Sequence, residues 1–234
     1  MYNIKLIGTI HSENSRCNPS ELYKILEDIK PDVIFDELPS HFADLFYSES
    51  FDIAYEDNIL YKRPMPNLPL EVKCIKKYRQ NHNVKIVSVD IDISQDLAEQ
   101  KEEVYFLFNT FFKYEEYKNI DNEKEALIAK EGFHFLNSNK FLDLLEKKEL
   151  LERKIMESEI HKHRLLTTYS AHKKQIDNRE KVMLDNIYKY SKENQYIEAV
   201  FLIGAEHKKS IMRKIMEYEK ISEIKLNWKI FGNE

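Results

Sequence analysis

Short apolar runs recur along the chain, and each of them is followed by polar residues. Four runs have the length and composition of buried strands, at residues 4–7, 33–35, 84–89 and 199–203. A fifth run, at residues 224–231, alternates apolar and polar positions, which predicts a half-exposed strand. The chain therefore contains five candidate strands that are separated by longer segments.

Apolar residues at helical spacing lie between most of these runs. They occur in a segment that opens at Pro19, at residues 70–79 and again after residue 207. Strands that alternate with helices are typical of an α/β fold. We therefore expect a mostly parallel central sheet that is flanked by helices.

Two segments interrupt this alternation of strands and helices. Residues 40–70 contain aromatic residues and three of the six prolines, which predicts an irregular, loop-rich insertion. Residues 94–172 carry apolar stripes at helical spacing amid dense charge, which predicts a large α-helical insertion or lid. We expect both segments to belong to a single α/β domain that spans residues 1–234.

A helix start is predicted shortly after this helical insertion. Asp177 and Glu180 form the Asp-x-x-Glu pattern of a capping box, so Arg179 would lie in the first turn of a helix. Arg179 shares a face with Val182 and Met183, which places it toward the apolar stripe, where an unpaired guanidinium is costly. We therefore expect Arg179 to face a carboxylate or an anionic transition state.

The composition is that of a globular protein with a charge-rich surface, with 42% hydrophobic and 33% charged residues. A net charge of −5 argues against nucleic acid as the main partner. Two cysteines cannot form a disulfide framework. The first residues lack the pattern of a secretion signal, and no run approaches the ~20 apolar residues that span a bilayer. We expect a cytoplasmic protein without a membrane partner.

The candidate chemistry lies where the predicted strands end. The first and fourth strands end in the same Gly-x-x-His pattern, in which Gly8 precedes His11 and Gly204 precedes His207, and Glu37 follows the second strand. Because the carboxyl ends of parallel strands meet at one edge of a sheet, we expect the two histidines and Glu37 to share a cleft. The glycines would permit tight turns that aim the histidines.

Two imidazoles and a carboxylate permit two kinds of chemistry. They could hold a divalent metal ion such as zinc, manganese or cobalt. They could equally form a histidine–carboxylate pair that acts as a general base. Asp90 and Asp92 after the third strand, and Glu206 beside His207, are weaker candidates, because acids at such positions often cap helices or face solvent.

Several catalytic and nucleotide-binding motifs are missing from the chain. It contains no G-x-G-x-x-G, Walker A, G-x-S-x-G or H-E-x-x-H pattern. This argues against nucleotide binding, serine hydrolysis and the standard zinc-peptidase chemistry of H-E-x-x-H proteins.

The strand-end residues together resemble the TraB/PrgY/GumN superfamily, which includes the TIKI proteases and is related to the erythromycin esterase-like and ChaN-like proteins. The family has a Gly-x-x-His motif after its first strand and an acid after its second. An arginine then opens a late helix, and a second Gly-x-x-His motif follows. This chain matches the motifs in order with His11, Glu37, Arg179 and His207. The resemblance implies that these four residues line an active site.

The resemblance also implies an activity. Some family members are metal-dependent peptidases, whereas the esterase-like branch uses a histidine base without a metal. We therefore expect a hydrolase that cleaves a peptide or ester bond in a small-molecule or peptide substrate. If Mn, Co or Zn is used, its ligands would be His11, Glu37 and His207.

Two alternatives from other functional classes stay open. The protein could be a non-catalytic ligand-, metal- or haem-binding protein of the ChaN-like type. It could also be a helical interaction module with a vestigial site, which would form homo-oligomers through residues 94–172.

Overall fold

The core of the protein is a parallel sheet. The structure is a computed structural model that describes residues 2–48 and 68–232. Neighbouring strands pair in parallel in the order β3-β2-β4-β1-β5, so the α/β fold expected from the sequence is confirmed. The strands are β1 (Tyr2–Thr9), β2 (Val33–Pro39), β3 (Lys85–Asp90), β4 (Glu198–Gly204) and β5 (Leu226–Ile230).

Helices connect the strands and cover both faces of the sheet. A short 3-10 turn, Ala205–His207, joins β4 to the last helix. Within residues 2–48 and 68–232, no helix has the length and apolar character that a membrane span requires. The helices are α1 (Pro19–Ile29), α2 (Ser40–Phe46), α3 (Leu70–Asn81), α4 (Ser94–Phe111), α5 (Glu115–Glu131), α6 (Phe133–Leu136), α7 (Asn139–Ser158), α8 (Lys162–Glu193) and α9 (Lys208–Ile221).

Side chains that alternate along the buried strands form an apolar layer on each face of the sheet. On one face, Ile7, Ile34 and Leu202 pack in a cluster with residues from α1, α3, α6 and α7. On the other face, Phe35 and Phe201 pack with residues from α8 and α9. Because both faces are covered, the polar groups of the central strands gather at the strand ends.

The segment between β3 and β4 is helical, as its apolar stripes predict. Its last helix, α8, runs unbroken past residue 172 to Glu193, so one continuous helix joins this segment to the layer that covers the sheet. The segment also has a separate apolar cluster with buried members from four helices: Leu107, Phe111, Tyr117, Ile155, Met156 and Leu165.

The helix start predicted at Asp177 is wrong, because α8 passes through this position without a break. In a continuous helix the backbone N–H groups already bond to carbonyls four residues earlier, so an acid there has no N–H group to cap. Asp177 binds side chains instead: its carboxylate lies 2.6 Å from Lys181 Nζ and 2.6 Å from Lys214 Nζ. Arg179 is therefore a mid-helix residue.

The prediction of an irregular insertion at residues 40–70 is wrong for its first part. Residues 40–46 form α2, which begins directly after Pro39 at the end of β2. Proline cannot continue the hydrogen bonding of the strand, and its fixed backbone angle suits the residue before a helix. Residues 49–67 lie outside the described residues.

Candidate active site

Three adjacent strands bring the predicted site residues together. In the sheet β4 lies between β1 and β2. His11 follows β1, Glu37 lies near the end of β2, and His207 follows β4. Gly204 marks the point between the three side chains. A methyl group on its Cα would lie 3.4 Å from Glu37 Oε2, 3.5 Å from His207 Cδ2 and 3.8 Å from His11 Nε2. The three residues therefore surround one point at the carboxyl edge of the sheet.

The glycines of the two Gly-x-x-His patterns provide space rather than a tight turn. The glycines with positive φ among the described residues are Gly132 and Gly232, and Gly204 has a φ of −50°. A methyl group on Gly8 would lie 3.0 Å from Cβ of Ala205. The interpretation from turn geometry is wrong in that neither glycine needs a positive φ, and close approach of a neighbouring group explains why Gly8 is small.

Arg179 binds two carboxylates at once. Its Nη2 donates to Glu37 Oε1 at 2.9 Å and to Asp90 Oδ2 at 2.5 Å, and its Nε donates to Asp90 Oδ2 at 3.2 Å. The side chains of Glu37 and Asp90 are only 6% and 3% exposed. The expectation that Arg179 faces a carboxylate is confirmed, and these ion pairs are largely shielded from solvent.

Asp90 belongs to the site, although a helix cap was the favoured role for it. One of its oxygens accepts from the backbone N–H of Ile91 at 2.8 Å, and both oxygens accept from Arg179. Ile93, the residue before the following helix α4, makes no side-chain hydrogen bond that caps its first turn. Asp92 instead lies 3.3 Å from His41. Of the two acids after the third strand, Asp90 therefore contributes to the site.

His207 is held between two carboxylates. Its Nδ1 lies 2.7 Å from Glu180 Oε1, and its Nε2 lies 3.4 Å from Glu37 Oε1. Lys214 donates to the other oxygen of Glu180 at 2.7 Å. Burial by itself lowers the pKa of His207, but the hydrogen bonds to Glu180 and Glu37 raise it to about 9. At neutral pH His207 is therefore an imidazolium with a carboxylate near each nitrogen.

Glu37 is shared by the two cations of the site. Its Oε1 faces Arg179 and His207, and its Oε2 accepts from the backbone N–H of Gly204 at 2.6 Å. Burial alone raises the pKa of Glu37. The hydrogen bond and charge of His207, together with the Gly204 N–H, outweigh burial and lower this pKa to about 2. Glu37 is therefore ionised at neutral pH and fixed by several donors.

The charge on His207 predicts a pH dependence of stability. Folding raises its pKa from 6.5 to about 9. Its contribution to the free energy of unfolding is therefore complete below pH 6.5 and is lost as pH rises through about 9. We expect the advantage in Tm of the wild type over His207→Gln to shrink across this range, as measured by calorimetry.

A matched control for this prediction is His163→Gln, at an exposed position of α8. Its Tm should follow that of the wild type at every pH. A constant difference between the wild type and His207→Gln would mean that folding does not raise the pKa of His207.

His11 is the exposed histidine of the site. Its side chain is 62% exposed, against 14% for His207. Its Nδ1 lies 3.3 Å from Glu71 Oε1, which also accepts from the hydroxyl of Thr9. The hydrogen bond to Glu71 is the largest of the effects that raise the pKa of His11. Glu71, in the first turn of α3, is a site residue that sequence reasoning missed.

The two histidines share one arrangement. Each places Nδ1 against a buried carboxylate and turns its other edge toward the point beside Gly204. Such pairs fix the tautomer and direction of an imidazole, both in hydrolases and at metal centres. Across residues 2–48 and 68–232, no three His, Cys, Asp or Glu side chains are arranged as a ready-made metal-binding group. The arrangement can move a proton at His11 and hold a positive charge at His207.

Comparisons of the chain with protein-family models, with curated proteins and with solved structures find no match. The resemblance to the TraB/PrgY/GumN superfamily therefore stays a prediction. The roles of His11, Glu37, Arg179 and His207 are likewise predictions, which rest on the geometry described above.

Proposed function

We propose that the protein is a hydrolase that cleaves a peptide or ester bond, with His11 as its general base. The observation that carries the proposal is the buried carboxylate at Nδ1 of each histidine, Glu71 for His11 and Glu180 for His207. A methyl group on Gly204 would lie 3.8 Å from His11 Nε2 and 3.5 Å from the ring of His207. A substrate carbonyl bound near this point would have both a base and a cation beside it.

In the proposed reaction, Nε2 of His11 removes a proton from a water molecule while the water oxygen attacks the carbonyl carbon. Glu71 accepts the N–H at Nδ1, so the lone pair of the neutral ring stands at Nε2. The protonated His11 then donates to the leaving nitrogen or oxygen as its bond to the carbonyl carbon breaks. The 62% exposure of the His11 side chain gives water and substrate access to it.

Charges of both signs lie beside the proposed point of attack, because a methyl group on Gly204 would lie 3.4 Å from Glu37 Oε2 and 3.5 Å from the ring of His207. Negative charge develops on the carbonyl oxygen during the attack, and a fixed cation in a partly buried site stabilises it. We assign this role to His207, which carries a proton at neutral pH. Arg179 positions Glu37, to which it donates at 2.9 Å.

A divalent metal ion is the second version of this proposal. Its ligands would be Nε2 of His11, Nε2 of His207 and Glu37, and bound Mn²⁺, Co²⁺ or Zn²⁺ would supply a water of lowered pKa. The carboxylates at the two Nδ1 atoms fit this role. The ion would displace a proton from Nε2 of His207, which faces Glu37, and would compete with Arg179 for Oε1 of Glu37. We therefore favour the metal-free reaction. A rise in Tm with one of these ions that His11→Ala abolishes would decide for the metal.

A panel of p-nitrophenyl esters and peptide p-nitroanilides tests the hydrolase proposal. We expect turnover by the wild type and a loss of about 10²–10⁴-fold in kcat/KM for His11→Ala, the usual contribution of a general base. His82→Ala is the control, because it removes another histidine that pairs with a carboxylate, Glu27 at 2.8 Å. Equal turnover by His11→Ala and the wild type would reject His11 as the base.

The case in which no compound of the panel is cleaved needs a separate interpretation. If no substrate is cleaved while a metal ion or haem binds and the binding requires His11, the binding-protein alternative would replace the hydrolase.

The pH profile gives a second test of the base. Because Glu71 raises the pKa of His11 above 6.5, kcat/KM should increase with pH through a pKa above that value. Glu71→Gln should shift this increase in kcat/KM to lower pH and reduce the maximum value of kcat/KM, because the imidazole loses the carboxylate at Nδ1. Glu27→Gln, at the other histidine–carboxylate pair, should leave the profile unchanged. If kcat/KM increases at the same pH in Glu71→Gln and in the wild type, the titrating group is not His11.

A further inference from the structure

A small cavity lies beside His11 on the side of the sheet that α3 covers. Its volume is about 40 Å³, and its polar lining consists of His11, Asp36, Glu37, Tyr47 and Glu71. A cavity volume of about 10–15 Å³ is enough for one water molecule. This cavity therefore has room for a group of only a few heavy atoms. Because His11 lines the cavity, a group bound there lies next to the proposed base.

Two carboxylates of this cavity are buried and incompletely bonded. Asp36 is 2% exposed and Glu71 is 8% exposed. One oxygen of Asp36 accepts from the hydroxyl of Tyr47 at 2.6 Å, and one oxygen of Glu71 accepts from Thr9 and faces His11. Within the described part of the chain, the other oxygens, Asp36 Oδ1 and Glu71 Oε2, are buried without a partner at hydrogen-bond geometry, although Ser88 and the Leu38 backbone also interact with Asp36. Buried oxygens without partners are rare and costly, so they point to a ligand.

The electrostatics of this cavity favour a positively charged ligand. Its two acids, Asp36 and Glu71, are both buried and line the same small space. The cations of the neighbouring site, Arg179 and His207, contact other carboxylates. A cation between Asp36 and Glu71 would compensate the two buried charges.

The size and the acceptors of the cavity suit an ammonium group. A primary ammonium has three N–H donors, and the acceptors of the lining residues include Asp36 Oδ1, Glu71 Oε2 and the hydroxyl oxygen of Tyr47. Its nitrogen is close to a water molecule in size, which suits a cavity of about 40 Å³. Divalent metal ions instead require at least four ligands at fixed short distances.

We propose that this cavity binds a primary ammonium group, and that the substrate of the proposed hydrolase carries such a group beside the bond that is cleaved. The statement about the substrate rests on the proposed function, whereas the statement that the cavity binds an ammonium group does not. An α-amino nitrogen is two bonds from the carbonyl carbon of its residue, so an ammonium in the cavity would place that carbonyl near His11. The substrate class is therefore aminoacyl esters or peptides with a free amino terminus.

Binding is tested on the full chain with methylammonium chloride at pH 8. We expect a saturable rise in Tm of roughly 3–5 °C at about tenfold excess over Kd. Tetramethylammonium chloride at equal ionic strength has no N–H donor and should give no rise. Potassium chloride distinguishes an ammonium site from a general site for monovalent cations.

Two variants locate the binding. Asp36→Asn keeps the shape of the side chain and removes its charge, so it should abolish the rise in Tm relative to its own baseline. Asp28→Asn removes an equal charge from an exposed position of α1 and should respond like the wild type. An equal response to tetramethylammonium or to potassium, or a full response in Asp36→Asn, would overturn the proposal.

Substrate preference is tested with alanine p-nitroanilide and its N-acetyl analogue. The wild type should prefer the free amine by about 10²-fold or more in kcat/KM, because acetylation removes the charge and leaves the carboxylates unpaired. Asp36→Asn should lose most of this preference. Methylammonium binding without turnover of either compound would reject the hydrolase and retain the cavity, whereas turnover without methylammonium binding or preference would reject the cavity alone.

Discussion

Replacing Arg179 with alanine is expected to lower the free energy of unfolding by about 3–5 kcal/mol. The guanidinium is the cation that Asp90 and Glu37 share, at 2.5 and 2.9 Å. Both carboxylates are almost fully buried, with side chains 3% and 6% exposed. Removal of the arginine leaves two buried negative charges next to each other without their common partner. Urea denaturation of the purified variant measures the loss.

Arg164→Ala is the matched control for this variant. Arg164 also binds a carboxylate through two nitrogens, at 2.8 and 2.7 Å from Glu103, but the two side chains are 49% and 45% exposed. An exposed pair of this kind contributes about 0.2–1 kcal/mol. The loss in stability of Arg179→Lys should lie between those of the two alanine variants. An ammonium keeps the charge but lacks the planar fork that reaches both acids. Equal small losses for Arg179→Ala and Arg164→Ala would show that Asp90 and Glu37 do not depend on the arginine.

The strands were predictable because both faces of the central sheet are buried. A strand covered on both sides needs an unbroken apolar run, and such runs stand out in the sequence. The order of the strands was not predictable in the same way. The pairing of β1 with β4, in which Thr9 lies opposite Gly204, joins residues from opposite ends of the chain. Nothing local to either strand specifies that partner.

The difference between local sequence patterns and tertiary contacts also separates the predicted site residues from those that were missed. His11, Glu37 and His207 were recognisable because they follow apolar runs, and strand ends of one sheet must converge. Glu71 and Glu180 lie within helices, so their roles depend on which side of the helix meets the sheet. The one sequence signal for Glu71 is an acid between two apolar residues, Leu70 and Val72, at the start of α3.

Glu180 shows how a local motif can hide a tertiary role. With Asp177 it matches the capping-box pattern, and that match depends only on residue types three positions apart. The helix continues through both residues because α8 packs against the sheet and against α9 along its buried face, which includes Met183 and Ile187. Glu180 then lies buried between His207 and Lys214. Tertiary packing therefore decided the helix boundary against the local signal.

Gly204→Ala is expected to preserve the fold and to reduce kcat/KM by about 10²-fold or more. The backbone at Gly204, with φ −50° and ψ 127°, is one that alanine adopts without strain. The added methyl group would meet Glu37, His207 and His11 at 3.4–3.8 Å, which are ordinary van der Waals distances. The Tm should stay equal or rise slightly, because alanine restricts the unfolded chain. The methyl group would nevertheless fill the point where the proposed water and carbonyl must meet.

Gly8→Ala should give the opposite result and so serves as the control. Its methyl group would lie 3.0 Å from Ala205 Cβ and 3.2 Å from Asn137 Oδ1, and Asn137 is bonded to both the N–H and the carbonyl of Gly8. These neighbours must shift, so we expect a loss of about 1–3 kcal/mol in stability with activity per folded molecule retained. If Gly204→Ala keeps full activity, the reaction does not take place between the two histidines. If Gly204→Ala instead loses as much stability as Gly8→Ala, the glycine of the second Gly-x-x-His pattern serves packing, and the proposed point of attack must be placed elsewhere along the sheet edge.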